Sequence, residues 1–394
     1  MPFSFGFLLN LNYLCTLIRV SNSYFYTRIM INRELIRIKV VQLTYAYYQN
    51  GSKNIDTAEK ELNFSLSKAY DLYNYLLALI VAITQEARRH VEVAQSRAQR
   101  EGTAMPSEKF IMNRFALQLE ENKMLNDFMQ AQKKNWRDEP ELLKRLYTQI
   151  TESETYQDYM ASDDDSYAAD RELWRKLYRT IIENSESIDS LLEEQSIYWN
   201  DDKEIVDTFV IKTIKRFEEK NGAHQELLAE YEANEDKEYA RKLFRAAIMN
   251  ADNYQRLMSD AANNWDFSRL AFMDIIIMQI AIAELISFES IPVSVTINEY
   301  VDIAKAYSTP HSAGFVNGML DTIARYLSSK GLILKQLPPK KERTPVKRES
   351  IKHFRAAIDA KSAMRTRTAN APEPIDAPEP IDADEPANDA ENAQ

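Results

Sequence analysis

The sequence predicts an all-α protein, a helical bundle that ends in a disordered tail, on three observations. Of 394 residues only 7 are glycine and 13 proline, and the prolines concentrate near the C-terminus, so the remainder is almost without strong breakers of regular structure. Hydrophobic residues make up 45% of the chain, enough for a sizeable core, and they recur at helical spacing in one segment after another. Beyond Leu337 that pattern stops. A stretch with Lys340, Lys341, Arg343, Lys347 and Arg348 leads into an acidic Ala/Pro tract in which APEPID, at 371–376, repeats at 377–382. Too few apolar residues remain there to offset the entropy of ordering.

Residues 1–29 are rich in aromatics and leucine, lack the basic start of a secretory signal, and are interrupted by Asn10, Asn12 and Arg19. They read as a leader or extension, with Met30 as the expected start. The first helix then runs from Ile31 to Tyr48, with Ile31, Leu35, Ile38, Gln42 and Tyr45 on one face and Arg33 and Arg37 four apart on another. Asn50 and Gly51 end it. Asp56 to about Gln99 reads as one or two long helices with Leu62, Leu66, Ala69, Tyr73, Leu76 and Ile80 in a broad apolar stripe. Further helices are expected over 107–132, 139–160 and 170–198, separated by polar linkers at 101–103 and 162–166, and then over 202–220 and 236–258.

The C-terminal helices differ in character. From Ala271 to Phe288 only Asp274, Gln279, Glu284 and Ser287 interrupt an apolar run, so no wide polar face exists and the helix belongs at the centre of a bundle. As a membrane span it would carry two carboxylates and an amide at a cost of kilocalories each. Pro292 breaks it. The next helix places Val293, Ile297, Tyr300, Val301 and Ala304 on one face and turns Asn298, Glu299, Asp302 and Lys305 to water. After Ser308, Thr309 and Pro310 a last helix carries Phe315, Met319, Ile323 and Tyr326 as its apolar stripe. Gly318 inside it costs ~1 kcal/mol against Ala, which suggests close approach of another backbone or a ligand.

Composition also excludes several kinds of chemistry. Cys15 is the one cysteine, which rules out intrachain disulfides and thiolate zinc clusters and fits a reducing, cytoplasmic setting. The four histidines, His90, His224, His311 and His353, show no HExxH or ExxH spacing, so neither a metal site nor a cofactor is expected. No Gly-rich phosphate loop is present. The acidic clusters Asp163 to Asp165, Glu193 with Glu194, and Asp201 with Asp202 read as surface charge, and Trp136, Trp174, Trp199 and Trp265 as packing anchors. A net charge of −11 disfavours nucleic-acid binding by the whole surface, so any such site must be local.

Two separated stretches carry a family resemblance. AEL at the end of the apolar helix, a Pro turn, INEYVDIAKAY and then FVNGMLD follow the order seen in the C-terminal half of the NusB transcription antitermination family, and RELIRIKVVQLTY at 33–45 resembles that family's arginine-bearing first helix. Arg33, Arg37, Gln42 and Tyr45 match its pattern, while Glu34 and Leu35 stand where more basic residues are usual. YARKLFRAAIMNADNYQRLM at 239–258 is similar to the next long family helix. The resemblance implies a NusB-like helical bundle formed by 30–51 and 201–337, a helical insertion over 52–200, and the basic-then-acidic tail at 338–394.

It also implies a non-enzymatic RNA-binding factor. Such a protein would bind a single-stranded element of ribosomal RNA leader transcripts together with NusE, a small-subunit ribosomal protein, and act on elongating RNA polymerase with other Nus factors. No membrane is involved. Arg33 and Arg37, one turn apart, suit phosphate forks or base stacking. The same resemblance nominates Tyr45, and also Lys305, Tyr307, Phe315 and Asn317 around the STPHSAG loop; Gly314 replaces the basic residue often found before the FVNG phenylalanine. Two other readings stay open: a NusB-like domain tied to ribosomal RNA methylation, which needs a catalytic domain downstream, and a helical scaffold whose insertion mediates oligomerisation.

Overall fold

A computed structural model describes residues 30–51, 54–132, 135–199, 201–231, 234–261 and 270–338. The expectations for the leader at 1–29, for Trp265 and for the tail beyond Pro338 lie outside the described residues. Fourteen α-helices make up the described chain: α1 (Arg33–Gln49), α2 (Ile55–Glu101), α3 (Arg114–Glu120), α4 (Lys123–Ala131), α5 (Pro140–Glu152), α6 (Glu154–Ala161), α7 (Tyr167–Leu177), α8 (Glu186–Gln195), α9 (Lys203–Arg216), α10 (Asn234–Met249), α11 (Ala251–Ala261), α12 (Phe272–Ser287), α13 (Val293–Tyr307) and α14 (Ser312–Ser329). The all-α class is therefore the observed one.

Local chemistry sets the boundaries. Asn32 caps α1 by accepting from the Leu35 amide, and Gly51 leaves it with φ 58°. Asn54 caps α2 through the Asp56 and Thr57 amides, and Gly102 closes it in the left-handed region. Between them runs one uninterrupted helix of 47 residues, about 70 Å long at 1.5 Å per residue. Several expected helices prove shorter. Asn113, Asn122 and Ser153 each turn their side chains onto amides three residues ahead, which starts a new helix and so divides 107–132 and 139–160. The 170–198 segment is interrupted by a π-turn at Tyr178–Ile182 and recapped by Ser185, and 236–258 breaks at Asn250.

α12 lies at the centre, packed against α1, α10, α11, α13 and α14. α2 packs on α1, α9 and α10 and also carries α3, α4 and α5. All of these helices fall within one compact unit that ends at Leu337. α2 is also long and apolar enough to cross a membrane by length and composition, but 72% of that window is buried among the other helices, as in a core helix.

Most expected faces are buried as the periodicity indicates: Leu62, Leu66, Ala69, Tyr73, Leu76 and Ile80 of α2 are inaccessible, as are Val293, Tyr300 and Ala304 of α13. Trp136, Trp174 and Trp199 are buried packing residues. Two faces are rotated. On α1 the core side is Leu35, Ile36, Val40 and Val41, while Ile38 is half-buried and Tyr45 exposed. On α14 it is Val316, Leu320, Ala324 and Leu327 with Met319 and Ile323, whereas Tyr326 is exposed and Phe315 half-buried. Both helices are covered on more than one side, so a single-stripe reading follows the wrong edge of a broad apolar arc.

Candidate nucleic-acid interface

The two arginines of α1 have different environments. Arg37 is 4% exposed, and its guanidinium forks onto Glu284, Nε to Oε2 at 2.8 Å and Nη2 to Oε1 at 3.2 Å, while Nη1 reaches Glu299 Oε2 at 3.0 Å. Glu284 is fully buried in the middle of α12 and also accepts from Thr296 Oγ1 at 2.7 Å, from the Tyr300 hydroxyl at 3.3 Å and from the Tyr239 hydroxyl. Burial alone would raise the Glu284 carboxyl, yet Arg37, Tyr239 and Thr296 outweigh it and hold its pKa below the ordinary value. Burial likewise opposes the Arg37 charge, but Tyr239 and Glu284 keep its pKa raised.

This corrects the expectation of an exposed basic stripe. Arg37 is spent on joining α1, α12 and α13, and Glu299, expected in water, is half-buried beside it. Arg33 does reach the surface. Its side chain is 32% exposed, lies over the Tyr239 ring at 5.1 Å and stands 3.9 Å from Asp236.

Tyr45 is three turns further along α1, about 18 Å away along the axis. Its ring meets Phe272 at 5.7 Å, and Phe272 meets Tyr48 at 6.2 Å. Tyr45 and Phe272 are 36% and 43% exposed, so this end of the bundle presents an aromatic surface. Two residues on, buried Asp274 accepts from Ser308 Oγ at 2.6 Å and Ser312 Oγ at 2.8 Å, which ties the Ser-Thr-Pro turn and the start of α14 to α12. Tyr307 precedes that turn. It is half-buried, with Gln42 of α1 against its hydroxyl, and burial followed by the charges of Asp201 and Asp202 pushes its pKa up to about 12.

Of the other nominated residues, Lys305 is exposed and 2.5 Å from Asp302, Phe315 packs half-buried on the core, and Asn317 is exposed. Gly318 is also exposed, and a Cβ there would meet nothing within 4 Å, so the expected close backbone approach is absent. Thus Tyr45 and Tyr307 gather at one end of α1, while Arg33 stands at the other.

Sequence reasoning missed Phe272, Asp274 and the hub role of Glu284. A signal existed for the last two, since an acid inside an otherwise apolar helix must find donors. It also misread Asp202 as surface charge. That residue is fully buried with its Oδ1 2.6 Å from Lys39 Nζ, and burial, only partly offset by Lys39, pushes its carboxyl up to about 6.

Residues 205–325 match the model of the NusB family. Proteins named transcription antitermination protein NusB are similar to the chain: that of Salinibacter ruber is 35% identical over 132 residues, covering 32% of this chain and 82% of that protein. For Thermodesulfovibrio yellowstonii the identity is 36% over 118 residues, 30% of this chain and 73% of the relative. For Chloroherpeton thalassium it is 39% over 113 residues, 27% of this chain and 54% of the relative. No solved structure matches the chain significantly.

Proposed function

The chain belongs to the NusB family, and from that premise we propose that it is an RNA-binding transcription antitermination factor of the cytoplasm. It binds a single-stranded element of ribosomal RNA leader transcripts through the end of the bundle where Tyr45, Phe272 and Tyr307 meet the anchored Ser-Thr-Pro turn. The exposed Tyr45 and Phe272 pair supports this reading, because unstacked bases gain ~1 to 3 kcal/mol each on aromatic faces whatever their identity. Lys305 and Asn317, both exposed, supply a phosphate contact and a base-edge contact. Arg33 extends the track at the far end of α1, and Arg37 acts by holding α1 in place.

The net charge of −11 makes a basic partner useful, and NusE, a small-subunit ribosomal protein, fills that role. The assembly then acts on elongating RNA polymerase with other Nus factors and suppresses premature termination, without covalent chemistry. Sequencing of RNA crosslinked to the full-length protein in cells tests the proposal. Ribosomal leader transcripts should be enriched, and the enrichment should fall in Tyr45→Ala with Phe272→Ala. Enrichment elsewhere, or none of that loss in a folded variant, overturns it.

A further inference from the structure

Away from that surface, the helices of segment 52–200 leave an apolar hollow uncovered. A cavity of about 620 Å³ opens where α2, α4 and the chain after α8 meet, lined by Phe64, Tyr75, Phe128, Ile197 and Trp199. Its floor is rigid, since Tyr75 stacks between Trp136 at 4.2 Å and Trp199 at 5.4 Å. Among the described residues nothing covers its apolar mouth. Ile197 is 83% exposed and Phe64 47%, a large departure from the burial such side chains seek.

A second cavity of about 490 Å³ shares Trp199 and is edged by Glu183, Asp189, Glu193 and Glu204. The π-turn before Glu183 is pinned by the Tyr178 hydroxyl, which donates to Asp207 at 2.6 Å. The cations lining the two cavities are Lys68 and Lys203, and both are neutralised: Lys68 lies 2.5 Å from Asp71, and Lys203 lies 2.9 Å from Asp207 and 3.3 Å from Asp189. The two cavities share Trp199, so the acidic edge and the apolar mouth adjoin.

We propose that this face docks a basic amphipathic helix of a partner protein. Apolar side chains spaced i, i+3/i+4 and i+7 enter the aromatic hollow, while lysines and arginines on the flank meet Glu183, Glu193 and Glu204. Charge complementarity selects this occupant: Glu183, Glu193 and Glu204, which have no cation partner among the described residues, stand beside the apolar hollow, repel nucleic acid and attract a cationic flank.

Fluorescence anisotropy with the full-length protein tests the proposal, using a labelled Leu/Lys amphipathic peptide of about 18 residues and a counterpart with Glu for Lys. The Leu/Lys peptide should bind and the Leu/Glu peptide should not. Ile197→Asp should weaken binding at least ~10-fold, as for loss of a central apolar anchor, without changing the melting temperature, because Ile197 is exposed. Glu193→Lys with Glu204→Lys should weaken it several-fold and flatten its salt dependence. RNA affinity should not change in either variant, which separates this surface from the one proposed for RNA. The proposal is overturned by equal binding of both peptides, by binding indifferent to both variants, or by competition from RNA. It is equally overturned if light scattering finds a dimer that Ile197→Asp dissociates, since a second copy would then cover the hollow.

Discussion

The guanidinium of Arg37 and the carboxylate of Glu284, 247 positions apart in sequence, form a bidentate pair inside the bundle with almost no solvent contact. Three hydroxyls complete the acceptor capacity of Glu284, so neither charge is left with unmet hydrogen-bonding demand on that side. Removing one partner strands the other. Arg37→Ala is expected to cost ~3 to 5 kcal/mol in urea unfolding, and Arg37→Leu combined with Glu284→Leu to cost less than the worse single change. A cost below ~1 kcal/mol for Arg37→Ala would show that water enters freely.

Stability should also respond to pH through α9. Burial pushes the Asp202 and Asp207 carboxyls up to about 6, against about 3.9 in an unfolded chain. The folded state therefore binds more protons between those values. Each group contributes stability that is full below about pH 4 and is lost as pH rises through about 6. Relative to Asp202→Asn with Asp207→Asn, the unaltered protein should lose on the order of 5 kcal/mol between pH 4 and 7, roughly half from each group. A difference that stays constant across this range would mean that neither carboxyl is perturbed.

Arg33 and Arg37 should separate in RNA binding. Arg33→Ala should reduce the slope of log K against log salt by ~0.7 for a single strand, provided that its one-third-exposed guanidinium meets a phosphate. Arg37→Ala should weaken binding only to the extent that it loosens the fold. Filter binding at four salt concentrations, with unfolding measured on the same samples, distinguishes the two.

The glycines of α14 give the opposite kind of test. Gly314 and Gly318 face open space, so Gly318→Ala should stabilise the protein by ~0.5 to 1 kcal/mol through helix propensity alone. Gly314→Lys should do likewise and should raise the salt slope of RNA binding by ~0.7, by placing a cation before Phe315. Loss of RNA binding in Gly318→Ala would show that the glycine admits a close ligand.

The fold class and the position of most helices were legible because periodicity reports burial directly, as in α2 and α13. The chain breaks at Asn113, Asn122 and Ser153 were less so: each is a favoured cap, but Asn126 and Thr148 in the same segments can also cap and lie inside helices, so tertiary packing selects which residue starts a new one. Among the nominated site residues, spacing put Arg33 and Arg37 on one face of α1 but could not show that Glu284 lay opposite only the second. Phe272 opens an apolar run and carries no mark that distinguishes it from the core residues behind it.

α1 has consequences for how the protein is made. Its 17 residues are near the length at which an isolated helix is marginal in water, and its ion-pair partner is translated 247 residues later. At roughly 5 to 20 residues per second, a growing chain holds Arg37 unmatched for about 12 to 50 seconds. α2 and α10 can shelter Leu35, Val40 and Val41 in that interval, but the central layer closes only after α12 arrives. A ribosome that stalls before Phe272 therefore leaves a nascent chain with α1 half-clad, a species for chaperones or proteases to recognise, and the synthesis of α12 decides whether α1 survives.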